Sequence, residues 1–284
     1  MKVLVTGATG QLGYDVLKEL QRRGIECKGV SSKDMNLTDD AVVDEVITQY
    51  HPDAIIHCGA YTAVDKAEDE SNLCMKVNVE GTLAIAQVAN KIGAKLIYIS
   101  TDYVFGGQGN LPFATDDEKD PLNIYGASKL LGEQVVQLTC KKYFIVRISW
   151  VFGKNGNNFI KTMLHLGKER KELSVVSDQW GSPTYTADLA PLLCDMIKTE
   201  KYGVYHATNE GVTTWAFFAV EIFKEAGIPC NVHCISTEEY PTEALRPKNS
   251  RLSKKSLDAA GFHRLPLWKD ALRRYLIEIG EIEK

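Results

Sequence analysis

The first thirteen residues decide the fold, and they are Met1-Lys2-Val3-Leu4-Val5-Thr6-Gly7-Ala8-Thr9-Gly10-Gln11-Leu12-Gly13. Residues 2–6 are mostly aliphatic or β-branched and predict a strand buried on both faces. The glycines follow without a spacer, and residues 14–20 then carry apolar side chains at helical spacing. A glycine loop lets a pyrophosphate approach the unpaired N–H groups of a helix N-terminus. This order therefore predicts a dinucleotide site, although a tight turn with close helix packing would need the same glycines.

The rest of the first half alternates strands and helices. Strands are predicted at 26–30, 53–58, 95–100 and 144–148, and the helices between them include one at 40–50, capped by Asp39, and one over about 71–92. Such alternation is typical of a parallel sheet, so we predict an α/β fold with a Rossmann-type doubly wound sheet. Beyond Trp150 the alternation is less regular, and residues 203–207 predict a strand that returns to the main sheet.

Composition limits the classes of partner. The chain has 284 residues and a formal net charge of −4, which argues against a nucleic acid or an anionic membrane as partner. No apolar run approaches the ~20 residues of a membrane helix, so we expect no membrane association and a cytoplasmic location. The 7 cysteines lack C-x-x-C spacing and predict reduced thiols. Residues 230–234, which include His233, alternate like a strand, and we predict no metal there.

The end of the second strand bears on cofactor choice. Ser31, Ser32 and Lys33 follow that strand, where an NAD-selective site usually carries an acid for the ribose 2′-hydroxyl. Because hydroxyls and an ammonium suit a 2′-phosphate better than a carboxylate would, we predict NADP(H), with NAD(H) also accepted. An ordinary polar loop would have the same composition. The loop 59–62 ends a central strand, where ligands bind in doubly wound sheets.

A lysine stands four residues after a tyrosine at Tyr125 and Lys129. This spacing puts both side chains on one helix face, and the ammonium would lower the pKa of the tyrosine from near 10 toward a value useful for proton transfer. The same spacing occurs at Tyr14 and Lys18, on the helix that receives the phosphates. Tyr125, however, follows Thr101 by one connection and can share its edge of the sheet. We therefore predict that Tyr125 is the general acid.

These motifs resemble the extended short-chain dehydrogenase/reductase family, in which Ser or Thr, Tyr and Lys form the catalytic set. Longer phrases resemble its dTDP-4-dehydrorhamnose reductase branch, namely Gly10-Gln11-Leu12-Gly13, AYTAVDKAE at 60–68, STDYVF at 100–105, RISWVFG at 147–153, DQWGSPT at 178–184 and RPKNS at 246–250. The resemblance extends from residue 1 to about Leu252.

The resemblance implies an NAD(P)H-dependent oxidoreductase that reduces the C4 ketone of dTDP-4-dehydro-β-L-rhamnose to give dTDP-β-L-rhamnose, in dTDP-rhamnose and cell-surface polysaccharide biosynthesis. It implies that residues 1–150 are mainly the NAD(P)-binding domain and residues 151–284 mainly a smaller substrate-binding domain. The implied catalytic residues are Thr101, Tyr125 and Lys129. The implied cofactor residues are Gly7, Gly10, Gln11, Leu12, Gly13, Val30, Ser31, Lys33, Asn36, Leu37, Gly59, Ala60, Tyr61, Thr62, Tyr125 and Lys129. The implied substrate residues are Thr101, Asp102, Tyr103, Val104, Trp150, Gln179, Ser182, Pro183 and Arg246.

Two other functions stay open. An NAD-retaining nucleotide-sugar 4-epimerase would use the same Tyr and Lys but would be expected to keep an acid after the second strand. A non-catalytic regulatory subunit would be expected to have lost a catalytic residue. The resemblance also leaves a monomer or a homodimer open, since some relatives dimerise around Mg²⁺ held by acids. Asp15 and Asp188 stand at matching places, but an aspartate is short for that role, and we predict no metal.

Overall fold

The computed structural model describes residues 1–283. Its strands are β1 (Lys2–Thr6), β2 (Glu26–Val30), β3 (Ala54–His57), β4 (Lys95–Thr101), β5 (Tyr143–Ile148), β6 (Val151–Phe152), β7 (Glu172–Val176), β8 (Trp180–Gly181), β9 (Thr184–Tyr185), β10 (Gly203–His206), β11 (Thr213–Thr214) and β12 (Asn231–Ile235). Its α-helices are α1 (Gln11–Arg22), α2 (Asp40–Tyr50), α3 (Lys66–Asp69), α4 (Ser71–Met75), α5 (Gly81–Ile92), α6 (Ile124–Thr139), α7 (Phe159–Glu169), α8 (Thr186–Met196), α9 (Trp215–Ala226), α10 (Lys255–Ala259) and α11 (Trp268–Glu278).

Six strands form the main sheet, in the order β10-β5-β4-β3-β1-β2. Every neighbouring pair is parallel, with Val3 opposite Cys27 in β2 and opposite Ala54 in β3. The predicted Rossmann-type fold is confirmed, and the strand predicted at 203–207 does return to the sheet, beside β5. The strand order reverses at β1, and this is the point where doubly wound sheets bind ligands at their carboxyl edge.

Helices cover both faces of the sheet. Val3 and Val5 of β1 pack on the side of α1 and α8, whereas Leu4 packs on the side of α2, α5 and α6. This follows from the alternation of side chains along a strand. Each fully buried aliphatic side chain adds about 1.5–3 kcal/mol, so the two clusters account for much of the stability of this half. Helix α8 belongs to the second half of the sequence, yet Leu189 and Leu193 complete the cluster on α1.

The second half adds a third core and three small sheets. Strand β7 pairs in parallel with β12 and β6 with β9, whereas β8 pairs antiparallel with β11. Aromatic side chains form a large part of this core, among them Phe152, Phe218, Phe223 and Tyr275. The division of the chain at residue 150 into two domains remains a prediction, because segments of the second half pack into both parts.

The helix expected over residues 71–92 contains one π-helical turn, Lys76–Glu80, between α4 and α5. The turn buries Asn78, whose Oδ1 accepts from the Tyr61 N–H at 2.8 Å while its Nδ2 donates to Tyr61 O at 3.1 Å. Nδ2 also donates to the Ser128 hydroxyl of α6 at 2.9 Å. A π turn often marks a functional site, and this one ties the loop after β3 to the helix that carries Tyr125.

Two further properties concern the chain within residues 1–283. No helix there is both long and apolar enough to cross a bilayer. The seven cysteines are all free thiols, as the sequence predicts.

Candidate active site

A cleft of about 850 Å³ follows the carboxyl ends of the main-sheet strands. Its volume lies in the ~300–1,000 Å³ range usual for small-molecule sites. Most of the predicted site residues line it, namely Gly7, Gly10, Gln11, Leu12, Val30, Ser31, Asn36, Leu37, Gly59, Ala60, Tyr61, Thr62, Thr101, Asp102, Tyr103, Tyr125, Lys129 and Trp150. Residues from five strand ends thus meet in one cavity, which the fold of the main sheet explains.

The three glycines of the first loop have different roles. A Cβ at Gly7, whose φ is +64°, would lie 2.7 Å from the Gly59 nitrogen, and a Cβ at Gly13 would lie 2.2 Å from the Gly7 oxygen. These two glycines therefore allow close packing of the loop. Gly10 lines the cleft and precedes α1 without a side-chain cap. Because glycine has no side chain, Gly10 does not cap the first N–H groups of α1. These groups are therefore free to bind a pyrophosphate.

The Gln11 side chain is hydrogen-bonded to the far wall of the cleft. Its Oε1 accepts from the Gly153 N–H at 2.9 Å and from Asn158 Nδ2 at 3.0 Å. Asn158 in turn caps α7 by accepting from the Lys161 N–H at 3.1 Å. The glycine loop is thereby joined to the start of α7, across the cleft.

The end of β2 differs from the prediction in one respect. The prediction that hydroxyls and an ammonium, and no carboxylate, stand at this strand end is wrong: Asp34 Oδ2 accepts from the Ser31 N–H at 2.8 Å and from the Ser31 hydroxyl at 2.7 Å. These hydrogen bonds hold the pKa of Asp34 below its usual value. The cause is a tight turn that folds the acid back onto the strand end. Lys33 is exposed and does not line the cleft.

Thr101 and Tyr125 are brought together by the packing of α6 on the strand end. Thr101 is the last residue of β4, and Tyr125 lies in the first turn of α6, which Asn123 caps by accepting from the Gly126 N–H at 2.7 Å. A Cβ at Gly126 would lie 2.2 Å from the Tyr103 oxygen. Only glycine therefore lets the helix approach this closely. The Tyr103 and Tyr125 rings meet edge to face at 5.9 Å.

Burial dominates the electrostatics of Tyr125 and Lys129. It raises the pKa of Tyr125, with Asp102 adding to the rise and a hydrogen bond with Thr101 opposing it. Burial also lowers the pKa of Lys129 to about 7, against the charge of Glu133. The Lys129 ammonium lies 4.0 Å from the centroid of the Tyr98 ring. The prediction that Lys129 lowers the pKa of Tyr125 is therefore wrong for this structure, and Tyr125 is a neutral phenol at neutral pH.

Asp102 is a buried acid beside this pair, only 3% exposed. Its Oδ1 accepts from the Thr101 hydroxyl at 3.0 Å. Burial raises the pKa of Asp102 from 3.8 to about 6. The charged form is thus disfavoured in the folded protein, and the carboxyl group titrates close to physiological pH.

This shift predicts a pH dependence of stability. Between pH 3.8 and 6 the folded state binds the proton of Asp102 more tightly than the unfolded state, so this contribution is full at low pH and is lost as pH rises through about 6. The rise of this pKa from 3.8 to about 6 corresponds to about 3 kcal/mol of stability. Urea unfolding from pH 4 to 7.5 should show the Asp102→Asn variant gaining stability relative to the wild type as pH rises. A difference that stays constant over this range would contradict the assignment.

Several predicted residues lie outside the cleft lining. Gln179 Nε2 donates to Thr237 Oγ1 at 3.1 Å, and the Ser182 hydroxyl donates to Gly211 O at 2.7 Å. The Arg246 guanidinium makes two hydrogen bonds to Asp65, at 2.8 and 2.7 Å. Their roles toward a substrate remain predictions. The remaining residues outside the lining are Gly13, Lys33, Val104 and Pro183.

Trp150 has an unusual backbone at the far end of the cleft. Its φ is +48°, a left-handed conformation that costs about 1–3 kcal/mol for a residue other than glycine. Its indole stacks on that of Trp215, with ring centroids 3.7 Å apart. Such a conformation persists only where the surroundings enforce it, and it is typical of functional positions.

The sequence reasoning missed four aromatic residues of the cleft, which are Phe152, Phe159, Trp215 and Phe218. Phe159 and Trp215 each open a helix directly after a capping residue, Asn158 and Thr214. The sequence signal for Phe159 and Trp215 was therefore a helix start that follows a capping residue and carries a large aromatic side chain. Nothing in the sequence showed that these two helices meet the end of β5.

The acids considered for Mg²⁺ are engaged by other groups. Both oxygens of Asp188 accept from Arg274, at 2.7 and 2.8 Å, and Asn209 adds a third hydrogen bond at 2.7 Å. Asp15 is buried, accepts from the Thr186 hydroxyl, and has its pKa raised by burial. No cluster of three or more His, Cys, Asp or Glu residues occurs within residues 1–283. These residues do not fit a metal held between Asp15 and Asp188.

A parallel sheet with a glycine loop after β1, and Thr101, Tyr125 and Lys129 on one wall of the cleft, define the class: an NAD(P)-dependent oxidoreductase of the extended short-chain type. Comparison with known proteins gives the family. The model of the family described as RmlD substrate binding domain matches residues 1–280. The chain belongs to this family.

Relatives agree over nearly the whole chain. The spore coat polysaccharide biosynthesis protein SpsK of Bacillus subtilis is 43% identical, over 98% of this chain and 97% of that protein. The dTDP-4-dehydrorhamnose reductase of Escherichia coli (strain K12) is 40% identical, over 98% of each chain. The crystal structure of the Bacillus anthracis dTDP-4-dehydrorhamnose reductase in complex with NADP superposes with a TM-score of 0.95. It is 45% identical to this chain and covers 98% of this chain and 99% of that one.

Proposed function

We propose that this protein reduces the C4 ketone of dTDP-4-dehydro-β-L-rhamnose to dTDP-β-L-rhamnose with NADPH. One observation carries the proposal: Tyr125 lies beside Thr101 in the cleft whose other end is the glycine loop. A reduction needs a proton donor for the alkoxide that hydride addition produces, and a phenol, with an ordinary pKa near 10, is protonated at neutral pH. The similarity to a reductase whose crystal structure contains NADP supports the choice of reaction.

Each residue of the set has a task in this proposal. The cofactor supplies the hydride when it is bound. Tyr125 donates its proton to the developing alkoxide, and the Thr101 hydroxyl hydrogen-bonds the same oxygen or the phenol. Lys129 binds the ribose next to the nicotinamide. The loop of Gly7 and Gly10, with the start of α1, holds the pyrophosphate.

The cofactor preference should be small. Lys33 is an exposed ammonium near the strand end, and one screened contact of this kind gives ~0.2–1 kcal/mol. The Asp34 carboxylate at the same strand end opposes a 2′-phosphate, so we expect both cofactors to work, with NADPH favoured by at most about two- to fivefold. Lys33→Ala should shrink the preference without changing the NADH kinetics, whereas Lys91→Ala, which removes an exposed lysine of α5, should leave it unchanged. Measured kcat/KM for both cofactors decides this, and a strong NADH preference of the wild type would contradict it.

The proposal is tested by cofactor oxidation with a panel of dTDP- and UDP-linked 4-keto sugars. We expect stoichiometric oxidation of NADPH with dTDP-4-dehydro-β-L-rhamnose and much slower oxidation with the UDP sugars. An NAD-retaining 4-epimerase would instead purify with bound NAD and interconvert sugars without net consumption. A regulatory subunit would consume no cofactor with any sugar, and either result would overturn the proposal.

The cellular setting belongs to the same proposal. The reaction would serve dTDP-rhamnose and cell-surface polysaccharide biosynthesis, and the name of the 43% identical SpsK supports this setting. We place the protein in the cytoplasm, as a monomer or a homodimer whose small-molecule partner is the nucleotide sugar.

A further inference from the structure

Trp215 lines the cleft, and the reaction described above gives it no role. Its indole stacks on that of Trp150 with an angle of only 14° between the ring planes. Phe159 also packs on Trp215, with ring centroids 4.7 Å apart. The Trp215 ring that covers Trp150 is therefore held in place by a second aromatic contact.

The Trp150 indole is also confined by the backbone of residue 181. A Cβ at Gly181 would lie 2.7 Å from Cε2 and 2.8 Å from Cζ2 of Trp150. Only glycine leaves this space. Gly181 pairs with Thr213 in the antiparallel ribbon of β8 and β11, and the chain passes from Thr214 at the end of β11 directly into α9 at Trp215. The ribbon and the helix start that follows it thus provide both contacts to the indole.

The backbone of Trp150 depends on such contacts. Its left-handed φ of +48° is a true outlier for a bulky side chain, and outliers of this kind persist where the surrounding structure determines them. The Thr184 N–H donates to Trp150 O at 3.2 Å, which fixes the backbone from the side of β9. The ring itself is fixed by Trp215 and Gly181.

We propose that Trp215 is a positioning residue that, together with Gly181, clamps the Trp150 indole in place before the sugar ring of the nucleotide-sugar substrate arrives. The inference rests on the proposed function and on the substrate contact that the family resemblance implies for Trp150. A side chain that is already ordered loses less conformational freedom on binding, so the clamp improves affinity for the sugar. Trp215 acts through Trp150 and does not need to touch the substrate.

The first test separates the kinetic effects on sugar and cofactor. Trp215→Ala should raise KM for the dTDP-4-keto sugar about three- to tenfold, the range expected for loss of an aromatic pair, and leave KM for NADPH unchanged. Trp215→Phe should restore most of the affinity because it keeps a stacking face. Phe217→Ala on the exposed side of α9 is the matched control and should change neither constant. Trp215→Leu, which keeps apolar bulk, replaces the Ala variant if that variant does not fold.

The second test asks whether Trp215 acts through Trp150. The double variant Trp150→Ala with Trp215→Ala should have the same KM for the sugar as Trp150→Ala alone, whereas effects that multiply would overturn the inference. Stacked indoles should also give an exciton couplet in circular dichroism of the free protein, lost in each single Ala variant. A missing couplet in the wild type overturns the clamp. If the wild type shows the couplet but reduces no sugar nucleotide, the proposed function is wrong, whereas the packing of Trp215 on Trp150 is confirmed.

Discussion

The Tyr125→Phe variant should turn over about 10²–10⁴-fold more slowly than the wild type, with cofactor binding retained. The substitution removes only the phenolic proton donor and keeps the ring, so its edge-to-face contact with Tyr103 at 5.9 Å persists. The effect should fall on kcat, because the proton is needed only as charge develops on the C4 oxygen.

The chain provides a matched control for this variant. Tyr14 and Lys18 repeat the same spacing on α1, where Lys18 pairs with Glu278 at 3.3 Å. Tyr14→Phe should therefore leave kcat unchanged. Stopped-flow measurement of NADPH oxidation gives the turnover of both variants, and NADPH fluorescence gives their affinity for the cofactor. Near-normal turnover of Tyr125→Phe would show that another group donates the proton.

Arg147→Met should lower the free energy of unfolding by about 3–5 kcal/mol, because it leaves a buried carboxylate without its partner. Arg147 donates to both oxygens of Glu133, at 2.8 and 2.6 Å, and the two side chains are 2% and 3% exposed. The Ser100 hydroxyl donates to Glu133 as well, and Arg147 also donates to Thr115 O at 2.9 Å. Since Ser100 precedes Thr101, this network supports the strand end that carries the active site.

Two comparisons separate this effect from general loss of charge. Lys91→Met breaks an exposed pair with Asp44 and should cost less than about 1 kcal/mol. Adding Glu133→Leu to Arg147→Met removes the unpaired carboxylate and should recover much of the lost stability. Urea unfolding monitored by circular dichroism measures all of these variants. A cost below 1 kcal/mol for Arg147→Met would mean that water reaches Glu133.

Local patterns gave the sheet and the position of the cleft. Residues 2–13 predict β1, the loop and the start of α1 because strand propensity, glycine spacing and helical periodicity all lie within a few residues. The same holds for α2, whose bounds Asp40–Tyr50 and cap Asp39 agree with the prediction. Strand ends in a parallel sheet share one edge, so Thr101 and Tyr125 could be placed together from the order of elements alone.

The properties that failed or were missed depend on tertiary packing. The pKa of Tyr125 is raised because α6 buries it, and its spacing from Lys129 carries no information about burial. The fold of Asp34 back onto Ser31 depends on the geometry of one turn. The stack of Trp150 on Trp215 joins the end of β5 to the start of α9. These two places are far apart in sequence, and no local pattern links them.

The fate of the transferred hydrogen tests the central claim most directly. The wild type would be incubated with dTDP-4-dehydro-β-L-rhamnose and NADPH carrying deuterium at nicotinamide C4, and the product analysed by NMR. Our account predicts one deuterium at C4 of dTDP-β-L-rhamnose for each NADPH oxidised when the labelled face is the one transferred, and none when the opposite face is labelled. Product without deuterium from either face, or a sugar epimerised at C4 with the cofactor unchanged, would contradict it.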